Sequence, residues 1–88
     1  MTTHSLKVWP LYFTAVIEGH KTFELRRDDR GFSLGDTLLL KEWDPTMGVY
    51  TGRHARREIG YIARDVPDFG LMPGFCIMAF KPLENDDE

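Results

Sequence analysis

The chain has 88 residues, one domain's worth, of which 42% are hydrophobic, 12% aromatic and 28% charged. That composition excludes wholesale disorder and a collagen-like repeat, and a single cysteine excludes a disulfide framework. The net charge is −3, from 11 basic and 14 acidic residues, which taken alone argues against a nucleic-acid binder.

Met1 to Ser5 lacks the basic and apolar regions of a signal peptide, and no apolar run approaches the ~20 residues that span a bilayer. A cytoplasmic protein that does not meet the membrane is expected. Ser5 to Val8 alternates as a short strand. Trp9, Tyr12, Phe13, Val16 and Ile17 then fall at i, i+3, i+4, i+7 and i+8, one apolar face of a helix over residues 10–18. Pro10 suits its first position and Gly19 the left-handed residue after its last turn. Thr22 to Arg27 alternates again, with Phe23 and Leu25 on one side and Thr22, Glu24 and Arg26 on the other. Residues 28–31 and 34–36 are turn chemistry. Thr37 to Trp43 reads as a strand, and its Leu38-Leu39-Leu40 run points to burial on both faces. After a loop from Asp44 to Gly48, a long strand begins at Tyr50 or Arg53 and ends at Ala63, antiparallel to the one before. Gly60 marks a bulge or bend within it. Residues 65–74 form a loop and Phe75 to Phe80 the last strand, where Cys76 reads as a small core hydrophobe rather than a nucleophile.

The expected fold is α+β and mainly β: five strands closing into a small barrel, with one N-terminal helix. Glu84, Asp86, Asp87 and Glu88 end the chain, so residues 1–83 carry 11 bases against 10 acids, a net charge of +1. Residues 1–83 therefore read as a single domain and 84–88 as an acidic disordered tail.

Two clusters bear on function. Lys21, Glu24 and Arg26 stand at the helix-to-strand junction, where a guanidinium fork suits phosphate and a carboxylate accepts from a base amino group. The same three residues also suit a surface ion pair, worth about 0–1 kcal/mol. All seven arginines lie between residues 26 and 64. If the strands carrying Arg26, Arg27 and Arg53 share a surface, they make a basic patch beside Trp43 and Tyr50, which can stack on unpaired bases. The competing reading is dispersed charge neutralised by Asp28, Asp29 and Glu58. His4, His20 and His54 have no metal-ligand spacing and no phosphate-loop or dinucleotide motif occurs, so neither metal nor cofactor is expected.

The ordered set Gly19-x-Lys21-x-x-Glu24-x-Arg26, Phe32-x-x-Gly35-Asp36, Glu42-Trp43-Asp44-Pro45, Gly48-x-Tyr50-Thr51-Gly52-Arg53 and Phe75 to Phe80 resembles the ASCH branch of the PUA-like superfamily. It is similar in particular to small ASCH-like proteins of bacteria and phages, over residues 4 to about 82. The resemblance implies a PUA-like barrel of five to six strands with the helix at a cleft. It implies a module binding RNA or a nucleoside-like ligand, with Lys21, Glu24 and Arg26 lining that cleft. Together with the aromatic and basic residues above, the expected ligand set is Lys21, Glu24, Arg26, Arg27, Trp43, Tyr50 and Arg53. One ASCH branch deacylates N4-acylated cytidine through a lysine, a threonine three residues on and a later glutamate. Lys21 matches that lysine, but position 24 is Glu, and Glu58 and Asp65 both stand as candidates for the later acid. An amidohydrolase using Lys21 and Glu24 is the alternative function. A protein-interaction module using the Trp43–Arg53 loop is the second.

Overall fold

The alternating and helical patterns become five strands and one helix in a computed structural model, which describes residues 1–83. The elements in order are β1 (Thr3–Val8), α1 (Pro10–Ile17), β2 (Phe23–Arg27), β3 (Thr37–Asp44), β4 (Val49–Arg64) and β5 (Phe75–Phe80), with a 3-10 turn at Pro67–Phe69. The expected acidic tail, 84–88, lies outside the described residues. Pro10 occupies the first helical turn, and Gly19 takes a φ of +80° just beyond the helix, as its position requires.

The strands form one mixed sheet in the order β1-β3-β4-β5-β2. β1 runs parallel to β3, and every other neighbouring pair is antiparallel. β4 is the hinge of the architecture. Residues 49–58 pair with β3, while residues 59–64 pair with β5, and the register slips between Ile59 and Tyr61. Gly60 sits at that slip, where a β-carbon would come within 3.2 Å of the Lys81 backbone. The bulge anticipated there lets β4 bend and belong to two halves of the sheet.

One core fills the concave side. Leu6 and Val8 of β1, Phe13 and Val16 of α1, Leu38 and Leu40 of β3, Ile59 of β4, and Cys76 and Met78 of β5 are all buried together with Phe32. Leu39, on the outer face of β3, is only half-buried, so that strand is not covered on both sides.

The strand count matches the expectation, whereas closure by backbone pairing does not occur: β1 and β2 are both edges. Side chains span the interval instead. Arg26 donates to the Lys7 carbonyl and Arg30 to the Ser5 carbonyl. An edge whose carbonyls are occupied by guanidinium groups is a poor template for pairing with another chain. Among the described residues, no helix is long and apolar enough to cross a membrane.

Candidate functional site

After the last turn of α1, the amides of His20 and Lys21 both donate to the Ala15 carbonyl, and this fold-back delivers Lys21 to the start of β2. β2 then alternates as its sequence demands, but with the apolar side outward. Glu24 is buried at 5% exposure, while Phe23 and Leu25 are exposed. Asp28 donates its amide to the Gly74 carbonyl, and Phe80 donates to Thr22, which fixes the even-numbered residues of β2 as those hydrogen-bonded to β5. The main-chain groups of Phe23 and Leu25 consequently face the open side.

Glu24 organises the site. Its Oε1 accepts from Lys21 Nζ at 3.2 Å and its Oε2 from Arg26 Nε at 2.7 Å. Lys21 Nζ also donates to the Phe23 carbonyl at 2.7 Å. A buried carboxylate held by two cations is no loose surface ion pair. The three residues lie along a cleft of about 640 Å³ between the edges of β1 and β2, within the range of about 300–1,000 Å³ typical of small-ligand sites. Its walls include Trp9, Tyr12 and Phe23, which keep 55%, 48% and 40% of their surface exposed. Arg27 stands at the rim with its guanidinium 5.1 Å from the Phe75 ring centroid.

The other expected ligand residues lie elsewhere. Arg53 is locked onto the buried Glu42, Nε to Oε1 at 3.0 Å and Nη2 to Oε2 at 3.2 Å, with Thr51 Oγ1 donating to the same carboxylate at 2.6 Å. The Arg53 bonds first, and the Thr51 hydroxyl next, hold the Glu42 carboxyl below the usual glutamate range, and Glu42 in turn raises Arg53. Arg53 is thus a strut beside Phe13, not a cleft residue. Arg64 is held by Asp28 at 2.6 Å and does not line the cleft. Trp43 and Tyr50 meet edge to face, ring centroids 4.9 Å apart, where β3 pairs with β4; they do not line the cleft. Neither Glu58, paired with Lys81, nor Asp65 lines it either.

Several contributors escaped the sequence reading. Trp9 and Tyr12 carried the helical signal and were expected to pack inward; they form a cleft wall instead. Lys7, an exposed residue of β1, lines the cleft as well. The buried pair His4–Asp36, 2.9 Å apart, pins the start of β1 to the turn before β3, and no local signal joins residues 32 apart. Among the described residues, no three His, Cys, Asp or Glu side chains converge as a metal site would require.

Sequence comparison adds a family to this geometry. The sequence model of a domain of unknown function, DUF3850, matches residues 3–80. The chain belongs to the DUF3850 family. The matched span runs from β1 to β5 and includes every residue of the Lys21–Glu24–Arg26 cluster, so the cleft is part of the DUF3850 domain itself. An uncharacterised 12.9 kDa protein in the GpA 3′ region of Escherichia phage P2 is 45% identical over 56 residues, which is 64% of this chain. The match takes in half of that phage protein's length.

Proposed function

We propose that this DUF3850 protein is a non-enzymatic module of phage or bacterial type whose cleft receives a nucleobase of RNA, acting in the cytoplasm. The observation that carries this reading is the position of Glu24: a buried carboxylate between two cations, at the side of a cleft walled by three half-exposed aromatic rings. Aromatic faces stack on bases, a carboxylate accepts from an exocyclic amino group, and Lys21 and Arg26 offer charge to a phosphate. The ASCH-like motif order supports the same reading. Under it, the two edges of the bent sheet correspond to the open side of a PUA-like barrel.

The hydrolase alternative draws less support. Lys21 Nζ already donates to Glu24 and to the Phe23 carbonyl, which occupies two of its three N–H groups and leaves it placed as a donor rather than a base. N4-acetylcytidine incubated with the protein is expected to remain intact by chromatography.

Arg26→Ala and Arg26→Lys test the binding reading together. With a single-stranded RNA, Arg26→Ala should weaken affinity and reduce the salt slope by about 0.7, the share of one phosphate contact on a single strand. Arg26→Lys should keep the slope and lose affinity, because it retains the charge and loses the fork. RNA affinity indifferent to both substitutions refutes the proposal. Melting curves of each variant separate this result from loss of the Arg26–Lys7 bridge.

A further inference from the structure

The outer face of the sheet carries a second cluster that the cleft does not use. Lys7 and Lys41 occupy paired positions on β1 and β3, and Trp43 pairs with Tyr50 beside them. Lys7 Nζ stands 3.9 Å from the Trp43 ring centroid and 5.9 Å from that of Tyr50, and Lys41 Nζ stands 5.3 Å from Tyr50. Among the described residues, neither lysine has an ion-pair partner. The carboxylates closest in sequence are engaged elsewhere. Glu42 is held by Arg53 and Thr51, and Asp44 accepts from the amides of Thr46 and Met47. Like charges at neighbouring positions weaken a sheet and cation–π contacts offset part of that cost, so the pair is an arrangement with its cations left unneutralised. It is one that a polyanion with flat, stackable groups would complete.

Lys7 joins the cluster to the cleft. It is among the residues lining the cleft, and its carbonyl accepts from Arg26. We propose that Lys7, Lys41, Trp43 and Tyr50 form a second nucleotide subsite continuous with the cleft through Lys7. The ligand is then a single-stranded RNA of at least two nucleotides rather than a free nucleoside. This rests on the cleft reading given above. One base enters the cleft, the following phosphate lies between the two ammonium groups, and the next base stacks on the Trp43–Tyr50 pair. Lys7 leaves the Trp43 ring to meet the phosphate. The exchange is favourable, because base stacking on an aromatic ring outweighs an exposed cation–π contact. Stacking tolerates any base, so selectivity at this second position is weak and resides in the cleft.

The test uses fluorescein-labelled hexanucleotides of adenylate, cytidylate and uridylate, followed by anisotropy, with the nucleoside 5′-monophosphates as competitors. The hexanucleotide should bind about tenfold or more tightly than its monophosphate, the gain from one additional stacked base and its phosphate. Lys41→Ala combined with Tyr50→Ala should abolish that gain and lower the salt slope by about 0.7. The inhibition constant of the monophosphate should be unaltered, since neither residue lines the cleft. Tyr50→Phe keeps the ring and should keep the gain. Equal binding of hexanucleotide and monophosphate by the unmodified protein overturns the proposal, as does a gain untouched by the double substitution. If Lys41 and Tyr50 matter while Arg26→Ala and Glu24→Gln have no effect, the cleft reading falls and the outer subsite stands alone. Binding of no probe overturns both. A melting curve of the double variant that matches the unmodified protein shows that any lost affinity is not lost fold.

Discussion

Replacing Glu24 by Gln separates a structural clamp from a reader of bases. The carboxylate is 7% exposed, and its partners Lys21 and Arg26 are 18% and 26% exposed. Gln keeps the shape and one acceptor oxygen but sets an NH₂ donor against a cationic donor, so one of the two bonds is lost. It also leaves the local charge at +2 instead of +1. A hydrogen bond to a charged group contributes about 1.5–3 kcal/mol. Stripping a fully buried pair costs about 3–5 kcal/mol. Water reaches both cations, so the lower range applies, and a loss of about 2–3 kcal/mol is expected. At about 4–8 °C per kcal/mol for a domain of this size, Tm should fall by about 8–24 °C. Binding gives the decisive readout. A carboxylate contact to a base amino group contributes about 1–3 kcal/mol of discrimination, or about 5- to 150-fold between best and worst base. Glu24→Gln should flatten that ratio, while affinity for the least favoured base holds or rises with the added positive charge. Competition by the four nucleoside monophosphates, measured below the variant's Tm, supplies both numbers. A variant that melts lower yet retains the original base ratio refutes the base-reading role and leaves Glu24 as a clamp alone.

Acid should unfold the protein through two carboxylates. Asp36 is lowered from its ordinary 3.8, chiefly by the hydrogen bond from His4 and then by the Thr2 amide, and Glu42 is lowered from 4.5 by Arg53 and then Thr51. A group depressed on folding contributes stability above its unfolded pKa and loses it as pH falls through its folded pKa. Urea midpoints should therefore be insensitive to these two groups near neutrality and decline as pH drops below those ordinary values, less steeply in Asp36→Asn; an equally steep decline in that variant would count against the His4–Asp36 pair. Burial, and secondarily Asp28, raises the Cys76 thiol, so a thiol-specific disulfide reagent at about pH 8 should label it only in denaturant. Rapid labelling of the folded protein would contradict the packing of β5. Gly60→Ala should cost about 1–3 kcal/mol by overpacking, since the new methyl would meet the Lys81 backbone at 3.2 Å. An unchanged urea midpoint would show that β4 bends for another reason.

The elements were legible because their periods are local; the site was legible only in part because its contacts are not. Alternation along β2 shows which residues share a side, but not which side is inward. Apolar pattern alone would bury Phe23 and Leu25. The structure buries Glu24, because Arg26 on the same side of the strand and Lys21 just before it compensate its charge. The helix shows the same limit. Its apolar stripe runs through Trp9, Tyr12, Phe13, Val16 and Ile17, yet the eight-residue helix buries only Phe13 and Val16, and Trp9 and Tyr12 line the cleft. Arg53 and Arg64 entered the expected basic patch because nothing in sequence joins them to Glu42 and Asp28, 11 and 36 residues away. Closure into a barrel needed β1 and β2 to pair, and strand counting does not determine that. The bend at Gly60 brings these edges near one another, and Arg26 and Arg30 span what remains.

That division of the arginines alters the meaning of a net charge of −3. Arg53 and Arg64 are occupied by Glu42 and Asp28, and Lys81 by Glu58, so their charge projects little field. Lys21 and Arg26 share one carboxylate and retain a net positive charge at the cleft. Lys7, Arg27 and Lys41 lack ion-pair partners among the described residues, and Lys7 and Arg27 border the cleft while Lys41 adjoins Lys7 on the outer face. Arg56 and Arg57 of β4 likewise lack ion-pair partners among the described residues and lie away from the cleft, so positive charge gathers at the cleft flank without being confined to it. On the proposed RNA reading, such a flank draws in a phosphate chain locally without the long-range field that makes basic proteins bind any polyanion. Selectivity then rests on what the cleft walls and Glu24 can distinguish.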